Sequence, residues 1–249
     1  MPAASAACRW LRVRSARAGG GLGCARTGWA VEVHEHEQIY GEQAWDERYR
    51  SRPQHWSGDP NPVLVAEVSA MPPGTALDAG AGEGGDACWL ASRGWQVTGA
   101  DISTVALQRA ADRADRLGLE VTWLHLDLTR EPAPQTYDLV SAHFLHMPAA
   151  ARQVLFTHLA DAVAPGGTLL VVGHDPSDQN TTVHRPALAE TGWTADEVAS
   201  SLGPGWIIEV AEARARQATD PDGRQITIHD AVLRARRETG PDPQANPDS

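Results

Sequence analysis

Residues 75–94 read TALDAGAGEGGDACWLASRG, an apolar run that enters a glycine-rich loop and leaves it as an amphipathic segment. Thr75 to Ala79 has the length and apolar character of a buried strand, and Gly85 to Arg93 that of the helix leaving the loop. Between them, Gly80, Gly82 and Gly85 satisfy the G-x-G-x-x-G spacing of loops that cradle a pyrophosphate. Glycines let the backbone come close to a ligand, and the first-turn N–H groups of the following helix favour a negative group. Asp78 stands two residues ahead of Gly80. A carboxylate facing that crevice repels a diphosphate and pairs with an ammonium, so the loop suits a ligand with an amino-acid end better than one with a phosphate end.

Outward from this loop, short apolar runs alternate with amphipathic segments, the β-α-β succession of a doubly wound, mostly parallel sheet. WQVTGADIS (95–103) predicts a second strand ending at Asp101. Ser103 is placed to cap a helix over 104–117, with Val105, Leu107, Ala111, Ala114 and Leu117 on its apolar face and Gly118 as its stop. LEVTWLHLDL (119–128) and YDLVSAHFLH (137–146) predict the third and fourth strands, AARQVLFTHLADAV (150–163) the next helix, and APGGTLLVVGHD (164–175) a turn and a fifth strand. The last part breaks the alternation. Residues 205–217 and 224–237 are two extended runs separated by ATDPDG, too short for a parallel crossover, so they predict an antiparallel hairpin at the end of the sheet.

Composition narrows the function. A formal net charge of -11 argues against a surface that tracks nucleic-acid phosphates. All the basic residues are arginine, which excludes lysine Schiff-base chemistry. Cys8, Cys24 and Cys88 lack the spacing of a disulfide framework or zinc site, as expected of reduced thiols in a cytoplasmic protein. No apolar run reaches the roughly 20 residues that span a bilayer, so no membrane partner is expected. Residues 1–40 form an extension whose first thirty residues carry arginines as their only charges around RAGGGLG, and residues 239–249 a proline-rich polar tail. Both are expected to be disordered, leaving one domain over 41–238. His34 and His36, flanked by glutamates, are expected to be solvated rather than metal-bound.

Two further acids fit the loop. Asp101, at the end of the second strand, stands where a carboxylate accepts hydrogen bonds from ribose hydroxyls, with helix capping as its structural alternative. Asp127, after the third strand, is placed to accept from an adenine amino group, or else serves a turn. Ile102 and Leu128 follow them and complete the expected nucleoside contacts. S-adenosylmethionine, which carries an amino acid, a sulfonium and an adenosine, answers all of these features.

The segments LDAGAGEGGDACWLASRGWQVTGADIS, LHLDLT, YDLVSAHFLH and APGGTLLVV resemble, in order and spacing, the motifs of class I S-adenosylmethionine-dependent methyltransferases over about Glu42 to Arg237. Within that superfamily the chain is most similar to the small-molecule group that includes the tellurite-resistance and thiopurine methyltransferases. The resemblance implies a Rossmann-like sheet of seven strands with the last inserted antiparallel. It implies that Asp78 with Gly80, Gly82 and Gly84 holds the methionine end, Asp101 the ribose and Asp127 the adenine edge. Two rivals stay open: a nicotinamide-dependent oxidoreductase, and a non-catalytic domain that keeps the cofactor fold.

Methyl transfer requires in-line approach of an acceptor lone pair, and a general base only where the acceptor must first lose a proton. His143 and His146 after the fourth strand, and His174 beside Asp175 after the fifth, are the candidates. Each is equally well a polar loop residue, and a shared metal on the three is a further alternative. The absence of N/D-P-P-Y/F after the fourth strand disfavours amino methylation of a base or glutamine through that motif. Upstream, Trp45, Tyr49 and Trp56 suit a flap over the cofactor with a cation–π attraction to the sulfonium, although Trp45 and Tyr49 also have the i, i+4 spacing of a helix packing face. Residues 181–193 are expected to form the second wall of the acceptor pocket, for a small molecule.

Overall fold

A computed structural model of the chain describes residues 10–11, 38–182 and 188–240. The expectations for His34, His36 and for residues 241–249 lie outside the described residues, as do most of 1–40 and residues 183–187 of the proposed pocket wall. In chain order the regular elements are α1 (Glu42–Arg50), α2 (Pro62–Val68), β1 (Thr75–Ala79), α3 (Gly85–Ser92), β2 (Gln96–Asp101), α4 (Thr104–Leu117), β3 (Val121–His125), β4 (Tyr137–His143), α5 (Ala149–Asp161), β5 (Val163–His174), a 3-10 helix (Pro176–Asn180), α6 (Leu188–Thr191), α7 (Ala195–Ser201), β6 (Trp206–Thr219) and β7 (Gln225–Arg237). They fall into two compact units, residues 1–60 with 80–127 and residues 61–79 with 128–249.

In the first unit β2 and β3 pair in parallel, from Val97 opposite Val121 to Asp101 opposite His125. The two-residue strand Trp10–Leu11 pairs in parallel with Trp123 and Leu124. Ser103 caps α4 by accepting from the Ala106 amide at 3.1 Å, and Gly118 ends it in the left-handed region at φ 65°, as the sequence predicts. The buried face is Ala106, Leu107, Ala110, Ala111 and Ala114. Leu117, expected on that face, is 56% exposed, and Val105 is half-buried. Small alanines face inward because the helix passes close to the fully buried Trp123 and the loop glycines, where a longer side chain would clash.

In the second unit β1, β4 and β5 are parallel, and β7 lies antiparallel between β5 and β6. The predicted hairpin is therefore present, with its last strand inserted. β3 ends at His125 rather than at Leu128; its last rung to β2 runs from the Leu126 amide to the Asp101 carbonyl at 3.1 Å. β4 ends at His143 rather than at His146, where Phe144 takes a φ of 54° and breaks the strand. Helix α5 stops at Asp161 and β5 begins at Val163, ahead of the expected turn. The Ala162 carbonyl already accepts from the Tyr137 amide at 2.8 Å, and the exposed Pro165–Gly166 pair is looped out as an irregularity in the ladder. Apart from the two-residue strand Trp10–Leu11, the two parallel strands β2 and β3 in one unit and β1, β4, β5, β6 and the antiparallel β7 in the other make the complement of a Rossmann-like mixed sheet of seven strands.

Candidate active site

The glycine loop is stitched to the end of β2. Gly80 and Ala81 donate to the Ala100 carbonyl at 2.8 and 2.9 Å, and Gly84 donates to Ala81 at 2.9 Å. Gly80, Gly82 and Gly84 have φ of 73°, 52° and 79°, a region closed to most side chains. Two of them need to be glycine for different reasons. At Gly84 a Cβ would stand 2.9 Å from the Ala110 Cβ and 3.0 Å from the Trp123 ring, so this glycine lets loop, helix and strand pack. At Gly82 a Cβ would meet the Tyr49 hydroxyl at 3.0 Å and the Trp56 ring at 3.6 Å, so this glycine lies under the aromatic segment.

Asp101 is buried, and each of its oxygens takes a backbone amide at 2.8 Å: Oδ2 from Gly82 and Oδ1 from Ser103. Burial pushes its carboxyl above the ordinary aspartate range, while those two amides pull it down. It does not cap α4, because Ser103 does. Each oxygen keeps a second lone pair for a ligand hydroxyl. Ile102 offers its carbonyl to His125 Nε2 at 2.9 Å, and Asp127 sits half-buried after β3.

The upstream segment does lie on this loop. Trp45 and Tyr49 are on α1 with ring centroids 6.0 Å apart, and Trp56 Nε1 donates to the Tyr49 hydroxyl at 3.2 Å. The Arg48 guanidinium lies over the Trp45 ring, 4.3 Å from its centroid. Burial, together with the charge of Asp101, pushes the Tyr49 phenol far above its usual value, so it remains a hydrogen-bond donor throughout the physiological range.

Two buried acids that sequence reasoning passed over hold this arrangement. Glu83, inside the glycine loop, accepts from the His55 and Trp56 amides at 2.9 and 3.0 Å through Oε2 and from Arg109 at 2.7 Å through Oε1. Arg109 in turn donates to the Tyr49 and Arg52 carbonyls at 2.8 and 2.9 Å. Against the cost of burial, the Trp56 amide and Arg109 hold Glu83 below the usual glutamate range. Asp46 on α1 accepts from the Ser103 hydroxyl at 2.6 Å and the Val105 amide at 3.2 Å, docking α1 on the amino end of α4. Burial opposes its charge, but these donors and Arg50 hold it below the usual range. The only sequence signal was a glutamate among glycines and an aspartate within an aromatic helix.

In the second unit Asp78 is 3% exposed, one residue before the end of β1 and opposite Ser141 of β4. His143 ends β4 and His174 ends β5, both at the carboxyl edge of parallel strands, where ligands bind in such sheets. His146 and His174 come together as stacked rings with centroids 4.6 Å apart, and Phe144 lies 4.8 Å from His174. Leu128 is buried, and its carbonyl holds His158 Nδ1 at 2.7 Å. Asp175 caps the following 3-10 helix through the Ser177 amide at 2.9 Å rather than pairing with His174. The acid beside His174 is Asp230 of β7, with 3.5 Å between His174 Nδ1 and Asp230 Oδ1. Among the described residues no three His, Cys, Asp or Glu gather into a group that could hold a metal ion. No helix among them is long and apolar enough to cross a membrane.

The residues present fit an adenosyl ligand: a buried carboxylate with spare lone pairs beside an open glycine, under aromatic rings. Comparison with known proteins agrees. A family model for the methyltransferase domain matches residues 76–167. The chain is 30% identical over 169 residues to a 2-heptyl-1-hydroxyquinolin-4(1H)-one methyltransferase of Mycobacteroides abscessus, an alignment that covers 61% of this chain and 73% of that one. Among solved structures, one from work on converting a disulfide bond into a thioacetal group during echinomycin biosynthesis aligns with a TM-score of 0.64 at 24% identity, covering 80% of this chain and 93% of that one. TehB from Haemophilus influenzae aligns with a TM-score of 0.61 at 17% identity, covering 79% and 67%. These structures share the seven-stranded fold, and the sequence relationship, with the loop and strand order above, places the chain in the class I S-adenosylmethionine-dependent methyltransferases.

Proposed function

We propose that the protein transfers the methyl group of S-adenosylmethionine to a small-molecule acceptor. The observation that carries the cofactor half is the buried Asp101 carboxylate, gripped by Gly82 and Ser103 with lone pairs to spare at the end of β2. In this reading Asp101 and Ile102 hold the ribose, Gly80, Gly82 and Gly84 with Asp78 the methionine end, and Asp127 and Leu128 the adenine. Tyr49, Trp45 and Trp56 form the cover. The bound group supplies an electrophilic methyl on a sulfonium; the chain supplies orientation and exclusion of water. A small acceptor is supported by the relative's named substrate, a hydroxyquinolinone, and by the net charge of -11, which disfavours a nucleic acid. The scattered cysteines support a cytoplasmic location, and the methyltransferase domain is taken to run over 41–238.

Calorimetric titration with S-adenosylhomocysteine and with NAD, followed by transfer of labelled methyl to a panel of phenols, thiols, amines and oxyanions, tests the reading. Homocysteine-adduct binding with turnover of at least one small acceptor is expected. Binding without turnover of any acceptor overturns it in favour of a cofactor-sensing domain, and binding of NAD alone overturns the cofactor assignment.

A further inference from the structure

Asp230 is 2% exposed on β7, directly opposite His174 in the antiparallel ladder with β5. One of its oxygens is taken by Arg216 Nε at 2.5 Å, and the other faces His174 Nδ1 at 3.5 Å, a gap that a small ring rotation closes into a hydrogen bond. A carboxylate held there fixes the Nδ1–H tautomer of the imidazole and leaves Nε2 as its basic lone pair. Arg216 completes the orientation by holding the carboxylate from its far side. His174 keeps 22% of its side chain exposed, so its ring reaches solvent-accessible space from a buried support. A second feature converges here. Among the described residues Phe144 is the only non-glycine with positive φ, at 54°, a conformation that costs a bulky residue about 1–2 kcal/mol and persists where the surroundings enforce it. That strained residue turns the chain so that Phe144 and His146 both lie against the His174 ring, building an aromatic wall around it.

We propose that His174 is the general base of the reaction, with Asp230 as its positioning residue, and that the acceptor is therefore a hydroxyl on an aromatic ring, one that holds its proton at neutral pH. The inference rests on the small-molecule methyltransferase reading. The acceptor's O–H proton passes to His174 Nε2 while the oxygen lone pair forms the bond to the methyl carbon. The carbon–sulfur bond breaks with its pair left on sulfur, and the imidazolium then gives its proton to water. The aromatic edges of Phe144 and His146 suit a flat ring, and a base is needed only for an acceptor that is not already an anion.

The test compares phenols of graded acidity as acceptors for the wild type, Asp230→Asn and His174→Gln, with nitrophenols already ionised at the assay pH at one end of the series. Folding is checked by circular dichroism and S-adenosylhomocysteine titration; should Asp230→Asn fail to fold, the more exposed His174→Gln carries the comparison alone. The expected loss in kcat is about 10²-fold on weakly acidic phenols for His174→Gln, a similar direction for Asp230→Asn, and little change on the ionised acceptors. Nitrogen NMR of labelled histidine is expected to show the wild-type His174 ring protonated at Nδ1, a signature weakened in Asp230→Asn. Equal losses on protonated and ionised acceptors, or a ring protonated at Nε2 in the wild type, overturn the proposal. Turnover of thiolates or oxyanions but of no phenol overturns it while leaving the methyltransferase reading intact. Turnover of no acceptor at all defeats that reading and this one together.

Discussion

Glu83 and Arg109 meet at 2.7 Å, and through them the glycine loop holds the aromatic segment in place: the glutamate takes the His55 and Trp56 amides and the arginine the Tyr49 and Arg52 carbonyls. Removing either partner leaves buried donors or acceptors unsatisfied. Glu83→Ala and Arg109→Ala are each expected to cost about 1–3 kcal/mol in urea unfolding, and the double variant clearly less than their sum, because both break one network. Additive losses would show that the two residues act separately.

The same carboxylate sets an acid limit. Glu83 is held below its usual value in the fold, so its contribution to stability is present in full above the unfolded glutamate value of about 4.3 and is lost as pH falls through the folded one. Asp46 has the same sign. Between about pH 5 and pH 2 the wild type should therefore lose stability with a steeper slope than Glu83→Gln, which has no carboxylate there to protonate. Equal slopes, measured by chemical unfolding at stepped pH, would remove Glu83 from the acid transition.

How much of this was legible in the sequence follows the range of each interaction. The strands, the Ser103 cap, the Gly118 stop and the terminal hairpin were readable because each is specified within a few residues by apolar period or turn chemistry. Leu117 was misplaced because period alone does not say where a helix leaves its packing surface. Phe144 was invisible as a strand end, since nothing in its side chain favours positive φ. Glu83, Asp46 and Asp230 were missed for one reason: their partners lie on other elements, at separations such as the 26 residues between Glu83 and Arg109. His174 was legible beside its chain neighbour Asp175, whereas Asp230, the acid that faces it across the ladder, lies on another element and was not.

Asp101 gives a binding test separable from folding. Asp101→Asn keeps a side-chain oxygen for one of the two amides but removes the charge that ribose hydroxyls would donate to. Hydrogen bonds to a charged group contribute about 1.5–3 kcal/mol, so affinity for S-adenosylhomocysteine should fall about tenfold or more while far-UV circular dichroism is retained. An unchanged dissociation constant by calorimetry would move the ribose contact elsewhere.

The two loop glycines should fail in different ways when each receives a methyl group. Gly84→Ala places a Cβ 2.9 Å from Ala110 and 3.0 Å from Trp123 at a φ of 79°, where both neighbours are packed and neither is a flexible side-chain end. Strain and overpacking together should cost about 2–4 kcal/mol of stability. Gly82→Ala carries a similar backbone strain at φ 52°, but its Cβ meets the Tyr49 hydroxyl at 3.0 Å and the edge of Trp56, which is 52% exposed and can move aside. It should therefore unfold at a concentration of urea closer to the wild type than Gly84→Ala does, while losing more cofactor affinity per kcal/mol of stability, because the methyl occupies the space between the loop and its aromatic cover. Thermal unfolding and S-adenosylhomocysteine titration on both variants decide it: if Gly84→Ala is the more stable of the two, the loop is packed the other way round, with Gly82 against the core and Gly84 open to the ligand.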